Sequence, residues 1–288
     1  MSYEHYYLNT LSLIIQVYIM TTELTINNKY KLKERIGSGN FGSIYKGQNI
    51  RTAENVAIKI EPIASGVGLL KNESVIYQYL KGCVGVPSVK WFGRDGANYY
   101  MVINLLGESL QSIKNRDGSL PLSIVLKIGI KLITLLETIH NKGLVHRDIK
   151  PENFLLGPNN DIEHMHIIDF GFCRSYLLNG GHGHIPQKKT HGIIGSLTYA
   201  SLNAHALTEL SRRDDMESLG YVLINLYLGT LPWQDTPASK IDDAKRLITT
   251  LCEVPPVFIK YIQYVRCLKF EEVPDYVRLI KSFTSEIV

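Results

Sequence analysis

The sequence predicts an α+β chain of two lobes, a small β-rich lobe with one main helix followed by a larger helical lobe. Three observations predict this. The first third alternates polar and apolar residues between glycines, while the remainder carries apolar residues at helical spacing. No repeat or low-complexity linker interrupts the 288 residues. The change from strand to helix falls near residues 104–108, so the division reads as an extension 1–23, an N-lobe 24–103, a hinge 104–108 and a C-lobe 109–288.

The elements follow in order. YKLKERI (30–36) alternates as a strand does, a glycine-rich turn follows, and SIYKGQ (43–48) and NVAIKIE (55–61) complete an antiparallel meander. LLKNESVIYQYLKG (69–82) is helical, with Leu69, Glu73, Ile76 and Leu80 on one face. NYYMVINLL (98–106) is a strand that ends at Gly107. SIVLKIGIKLITLLETIH (123–140) reads as a helix with Ser123 as N-cap and Gly143 as its stop. DDMESLGYVLINLYLG (214–229) is apolar on all sides after Ser218, which predicts a fully buried helix. Further helices are expected over 240–252, 256–267 and 274–285.

Composition bounds the function. The chain is 45% hydrophobic and 20% charged, an ordinary globular balance, and long enough to bury a substantial core. A net charge of +4 suits an anionic ligand or substrate but is too small to argue for nucleic acid. The four cysteines, Cys83, Cys173, Cys252 and Cys267, form no CxxC pair and indicate neither a zinc site nor a disulfide framework. A reducing compartment, the cytoplasm or the nucleus, is expected. The apolar stretch LSLIIQVYIM (11–20) is shorter than the roughly 20 residues a membrane span needs. It also lacks the basic lead and cleavage site of a signal peptide. It reads as a segment upstream of a true start at Met20, with an added strand or helix as the alternative. No membrane partner is expected.

The chemistry is carried by four motifs. GSGNFGSIYKG places Gly37, Gly39 and Gly42 in a GxGxxG pattern between two strands, where backbone N–H groups can meet phosphate oxygens. Alone this is weak, since a plain glycine hairpin is as common, and the strand that follows argues against a dinucleotide-binding unit. Lys59 in VAIK could be a solvated strand lysine. Glu73 breaks that tie, because a carboxylate on an apolar helix face needs a partner. The pair would aim an ammonium at the α- and β-phosphates of a nucleotide. In HIIDFG (166–171), Asp169 can hold Mg²⁺ with Asn153 as a second oxygen ligand. In VHRDIKPENF (145–154), Asp148 is then free to accept the proton of an attacking hydroxyl, and Lys150 can neutralise the transferring phosphoryl group.

In this order and spacing the motifs resemble those of protein kinases, HRDIKPEN being the catalytic loop. Lys150 after the HRD points to serine or threonine acceptors. LLGESL (105–110), GVPSVKWFG (85–93), IDFGFCRSY (168–176), HIP (184–186), SRRDDMESLGYVL (211–223) and LPWQ (231–234) resemble the casein kinase 1 family, over Leu24 to Tyr276. Ala200-Ser201-Leu202-Asn203 stands where most kinases have Ala-Pro-Glu, as in that family. The resemblance implies a monomeric enzyme that uses ATP and Mg²⁺ on protein substrates in acidic contexts. It places Ile36, Gly37, Ser38, Gly39, Asn40, Phe41, Gly42, Ser43 and Ile44 along the nucleotide, with Ala57 joining Ile36 and Ile44 around the base. It implies that Asn104 and Leu106 offer hinge backbone groups to adenine, with Ile103 as gatekeeper. It implies that Asp215 braces the catalytic loop and that the Ser196 hydroxyl touches Asp148 and Lys150.

Three departures from the family pattern bear on substrate preference and autoinhibition, and a weakened preference for acidic substrates is expected. Thr198 stands where the family has an arginine. The segment after Trp233 is short and keeps only Lys240, Lys245 and Arg246 of a basic run. The chain also ends soon after the kinase core. His182 and His184 read as loop residues rather than metal ligands, and Cys173 as a packing cysteine. The rival from another class is a pseudokinase-type binding scaffold, whose signature would be loss of Lys59, Asp148 or Asp169; all three are present. An ATP-using enzyme acting on a small molecule is disfavoured by the long segment 172–203.

Overall fold

The structure is a computed structural model that describes residues 24–39, 42–66, 68–178, 181 and 183–287. The Met20 start and the stretch 11–20 lie outside the described residues, as do Asn40, Phe41 and His182. The chain forms two compact units. The first includes the described residues up to Lys81 together with Pro87–Leu106, and the second includes Gly82–Val86 and the chain from Gly107 onward.

The first unit is an antiparallel sheet and one long helix. Strands β1 (Thr25–Ile26), β2 (Tyr30–Gly39), β3 (Gly42–Asn49), β4 (Asn55–Pro62), β5 (Val89–Arg94) and β6 (Asn98–Asn104) lie in the order β1-β2-β3-β4-β6-β5. Alternation sorts the side chains. Tyr30, Leu32, Tyr45, Val56, Ile58, Ile60, Tyr100 and Val102 form one buried cluster. The alternate residues Ala57, Lys59 and Glu61 point from the other face. The register sets Lys59 beside Ile44 and Met101, and Ala57 beside Lys46 and Ile103. β6 stops at Asn104 rather than running on to Gly107; the Asn104 side chain turns back to accept a bond from the Ser88 amide (3.0 Å).

Helix α1 (Leu69–Tyr79) buries Leu70, Glu73, Ser74 and Tyr77. Glu73 and Leu80 of the predicted face are buried, and the face is corrected at its other two positions. Leu69 and Ile76 are half-buried, whereas Leu70, Glu73 and Tyr77 recur at i, i+3 and i+7. Gly68 at the N-cap supplies no capping side chain. The buried Glu61 does so from β4, accepting the Leu69 amide at 3.2 Å and the Leu70 amide at 2.5 Å. A carboxylate at a helix N-terminus satisfies free N–H groups and complements the helix dipole.

The second unit is helical. Its main elements are α2 (Leu110–Asp117), α3 (Leu122–Asn141), α4 (Leu202–His205), α5 (Arg212–Leu228), α6 (Ile241–Arg246), α7 (Pro256–Cys267) and α8 (Tyr276–Ser285). Two small antiparallel ladders accompany them: β7 (Leu144–Val145) pairs with the distant β10 (Arg174–Ser175), and β8 (Phe154–Gly157) forms a hairpin with β9 (Asp161–Ile167). α3 packs on α5 and α8, and α5 packs on α7. Ser123 is not the cap of α3. The helix starts directly after Pro121, whose φ of −55° already suits a helix entry, and Ser123 lies in the first turn. Gly143, at φ 76°, does end it. The 240–252 prediction shortens to the six residues of α6 and a 3₁₀ turn over Leu247–Thr250. The helix predicted from 274 begins at Tyr276, capped by Asp275, whose side chain accepts the Arg278 amide at 2.9 Å. α5 is buried along nearly its whole length, its polar first turn included.

Among the described residues no helix is long and apolar enough to cross a membrane, and no cluster of His, Cys, Asp and Glu could hold a metal by its own side chains.

Candidate active site

In the first unit, Lys59 Nζ and Glu73 Oε2 are 2.7 Å apart, and the Glu73 side chain is 2% exposed. The strand supplies the lysine and the helix supplies the carboxylate, so the pairing inferred from Glu73's place on an apolar face is observed. Glu61, two residues beyond Lys59 on the same strand face, caps the same helix. One strand therefore holds α1 at two points.

The glycine-rich stretch is a β2–β3 hairpin in which Gly37 faces Ile44, Ser38 faces Ser43, and Gly39 faces Gly42. The glycines differ in what they answer to. A Cβ on Gly42 would stand 2.2 Å from the Ile60 carbonyl, so packing alone demands glycine there. A Cβ on Gly37 would meet only Ile44 at 3.7 Å, an ordinary contact, so packing leaves that glycine unexplained. Ile44, Ala57, Lys59 and Ile103 share one sheet face, and Ile36 is 48% exposed. A bound nucleotide would find on this face an apolar surface beside an oriented ammonium. Asn104 and Leu106 fall at the end of the unit.

In the second unit the loop 146–153, which carries HRDIKPEN, connects β7 to β8. Asp215, buried on α5, accepts the His146 amide at 2.7 Å and the Arg147 amide at 2.9 Å. It also meets His140 Nε2 at 3.0 Å, and His140 Nδ1 lies 2.7 Å from the Tyr276 hydroxyl. Burial by itself would raise the Asp215 carboxyl, but the bonds and charge from His140 and His146 outweigh it and leave the group below its usual range. Arg147 takes a positive φ of 67°, a strained conformation held by these bonds and by its own Nε–H to the Phe172 carbonyl (2.7 Å).

Asp148 is 3% exposed, and both its oxygens are engaged. Oδ1 accepts the Ser196 amide at 2.8 Å, and Oδ2 meets the Lys150 ammonium at 2.7 Å. Ser196 therefore holds Asp148 through its backbone N–H and not through the hydroxyl that the sequence reading favoured. The backbone can come this close because Gly195 precedes it: a Cβ there would stand 2.4 Å from the Arg147 carbonyl.

The β8–β9 hairpin brings the two metal candidates together. Phe154 pairs with Ile167, and the Ile168 amide bonds the Asn153 carbonyl at 3.0 Å, so Asn153 and Asp169 flank one end of the hairpin. Asn153 donates its Nδ2 to the Asp148 carbonyl at 2.9 Å, which leaves its Oδ1 for a cation. Asp169 is in the left-handed region at φ 67°. Two hard oxygen donors of this kind fit Mg²⁺, which keeps most of its water and takes only one or two protein ligands.

Three residues were missed or misread in the sequence. Glu209, 1% exposed, gathers Arg174 at 3.0 Å, Arg147 at 3.7 Å and Lys188 at 4.0 Å; no local pattern announces it. Glu61 was visible as the next residue on the Lys59 strand face but was not singled out. Lys245 was counted in the basic remnant after Trp233, whereas it is fully buried; the part of that remnant open to a substrate is corrected to Lys240 and Arg246. Cys173 is buried, and burial together with Asp215 pushes its thiol up to about 12, which fits packing rather than redox chemistry. His184 packs between Tyr176 and Phe270, with ring centroids 5.1 and 4.7 Å away.

A family model described as the protein kinase domain matches residues 30–273.

Proposed function

The chain belongs to the protein kinase family, and from that premise we propose that it phosphorylates serine and threonine hydroxyls of protein substrates with Mg-ATP, in the manner of the casein kinase 1 family it resembles. The observation that carries the reading is Asp148. It is a buried carboxylate fixed by the Ser196 amide on one oxygen and by Lys150 on the other, in a loop braced by Asp215.

The chain's own groups then divide the work. Lys59, oriented by Glu73, receives the α- and β-phosphates. Amides of the Gly37–Gly42 hairpin lie against the phosphates, which accounts for a glycine at position 37 that packing does not require. Asn153 and Asp169 would hold Mg²⁺, which would supply positive charge against the nucleotide phosphates. Asp148 orients the acceptor hydroxyl and takes its proton as the oxygen bonds to phosphorus and the ADP oxygen leaves. Lys150, already beside Asp148, offsets charge on the moving phosphoryl group. Lys150 in HRDIK favours serine and threonine acceptors. Arg147, Arg174 and Lys188 around the single Glu209 carboxylate leave excess positive charge beside the activation segment, which supports acidic substrates.

The test is transfer from γ-labelled ATP with Mg²⁺ to an acidic protein such as casein, followed by phosphoamino-acid analysis. Label on serine and threonine supports the reading. Label on tyrosine alone refutes the acceptor assignment, and nucleotide binding without transfer to any protein or peptide makes the chain a binding scaffold.

A further inference from the structure

Lys245 lies on α6 with 0% exposure. An ammonium is costly in such a place unless each proton has an acceptor. Here three acceptors surround it: the Leu197 carbonyl at 2.9 Å, the Ala200 carbonyl at 2.6 Å and His205 Nε2 at 3.0 Å. Its Nζ also stands 5.1 Å from the ring centroid of Tyr221 and 5.5 Å from that of Trp233, within cation–π reach. Burial pushes the ammonium down to about 7, with Glu217 opposing the shift and Arg266 adding to it. Burial also pushes His205 down to about 4, so its imidazole is neutral near pH 7 and Nε2 can accept. The charged neighbours are the Glu217–Arg266 pair at 2.9 Å, and Asp242 and Arg246 on α6.

The two carbonyls it binds bracket Thr198 and Tyr199. The turn they belong to starts at Ser196, whose carbonyl accepts the Tyr199 amide at 3.0 Å and the Ala200 amide at 2.8 Å. Thr198 offers its carbonyl to Trp233 Nε1 at 2.8 Å, and the Tyr199 hydroxyl accepts Asn225 Nδ2 at 2.6 Å. Ser196 is also the residue whose amide holds Asp148. An apolar residue of similar length could fill the space of Lys245 but would strand the buried Ala200 carbonyl and remove the donor from the half-buried Leu197 carbonyl.

We propose that Lys245 is a positioning residue for the acceptor side of the reaction: by tying Leu197 and Ala200 to α6 it sets the Ser196–Ala200 turn, and through the Ser196 amide it sets the orientation of Asp148. This rests on the kinase reading above. It assigns Lys245 no contact with nucleotide or substrate. The role accounts for a lysine in a place where a solvated one would be of no use, and it separates the peptide from the nucleotide in its consequences.

The experiment compares wild type with Lys245→Met under conditions where both are folded. The expected result is a kcat/KM for a serine peptide lowered about tenfold or more, with the KM for ATP within about twofold of wild type. Amide exchange at Tyr199 and Ala200 should quicken by a similar factor, while the His146 and Arg147 amides, held by Asp215, keep their protection. Should Lys245→Met fail to fold, Lys245→Arg, which keeps charge and donors in a wider head, is expected to show a smaller loss confined to the peptide side. Exchange at Tyr199 and Ala200 that matches wild type, or losses shared equally by ATP and peptide, would overturn the proposal. A wild-type chain that phosphorylates no peptide would defeat the kinase reading instead, and the exchange comparison would still decide the role of Lys245.

Discussion

Two lysine–carboxylate pairs in this chain have the same length and burial and are held in different ways. Lys59–Glu73 and Lys150–Asp148 both measure 2.7 Å, and both carboxylate side chains are 2% exposed. The first joins a strand to a helix, so its geometry depends on α1 staying docked, and the first turn of α1 rests on Glu61 from the same strand. The second joins residues two apart in one loop, and that loop is fixed from several sides by Asp215, Ser196 and Asn153. The comparison shows that a pair between elements can be lost by moving an element, whereas the loop pair is lost only by removing its braces.

The largest effect should follow from removing the main brace. Asp215→Ala leaves the His146 and Arg147 amides without their acceptor. A cost of about 3 kcal/mol or more is expected, a fall in Tm of roughly 5–10 °C, and a loss of kcat of about 10²-fold through a displaced Asp148. Calorimetry and steady-state kinetics check both, and normal turnover would show that the loop holds its shape without α5.

The element-to-element pair comes next. Lys59→Met and Glu73→Gln should each weaken handling of the nucleotide phosphates, and the double variant should lose much less than the sum of the two. Glu61→Gln should weaken the same step by a smaller amount, since it keeps an acceptor for the Leu70 amide but not the charge. Additive losses in kcat/KM from Lys59→Met and Glu73→Gln would mean that the pair does not act as a unit.

Much of this contrast was legible in the sequence because it is written in local chemistry. Glu73 among apolar residues asked for a cation, and Lys59 on an alternating strand was the candidate. HRDIKPEN set Asp148, Lys150 and Asn153 within one loop. The remainder depended on distant parts of the chain. Lys245 in DDAKRL looks like a solvated lysine, because its acceptors lie about forty-five residues earlier, at Leu197, Ala200 and His205. Glu209 likewise meets Arg174 thirty-five residues away. Ser196 was assigned by its hydroxyl because a side chain is what a sequence shows, whereas the contact is made by an amide whose approach depends on Gly195.

A smaller effect is expected at Thr198. Its carbonyl is tied to Trp233, and it brings no charge to a position where the casein kinase 1 pattern has arginine. Thr198→Arg should raise kcat/KM for a peptide carrying an upstream phosphate by about tenfold over its unphosphorylated match, the scale of one charge-assisted bond, and high salt should erase the gain. A strong preference for the phosphorylated peptide already present in wild type and unchanged in the variant would place the anion site elsewhere.

The smallest effect is on pH-dependent stability. Burial, with Lys245 nearby, holds His205 down to about 4 in the folded chain, against an ordinary value near 6.5. Between those values the unfolded chain binds the proton and the folded chain does not. Stability supplied by the neutral imidazole is therefore complete above about 6.5 and declines as pH falls toward 4. His205→Gln should flatten this part of the acid limb of a Tm-against-pH curve; an unchanged slope would show that His205 charges without penalty.

The central claim is that Asp148 is held where it can take the proton of an acceptor hydroxyl, and it is tested most directly by separating nucleotide binding from turnover in Asp148→Asn. The variant should bind Mg-ATP within about twofold of wild type by calorimetry, because Asp148 is assigned to the acceptor and not to the nucleotide. Its kcat on a serine peptide should fall by about 10²-fold or more, the scale of combined general-base and positioning effects. Turnover near the wild-type value from a purified, folded Asp148→Asn protein would contradict the account.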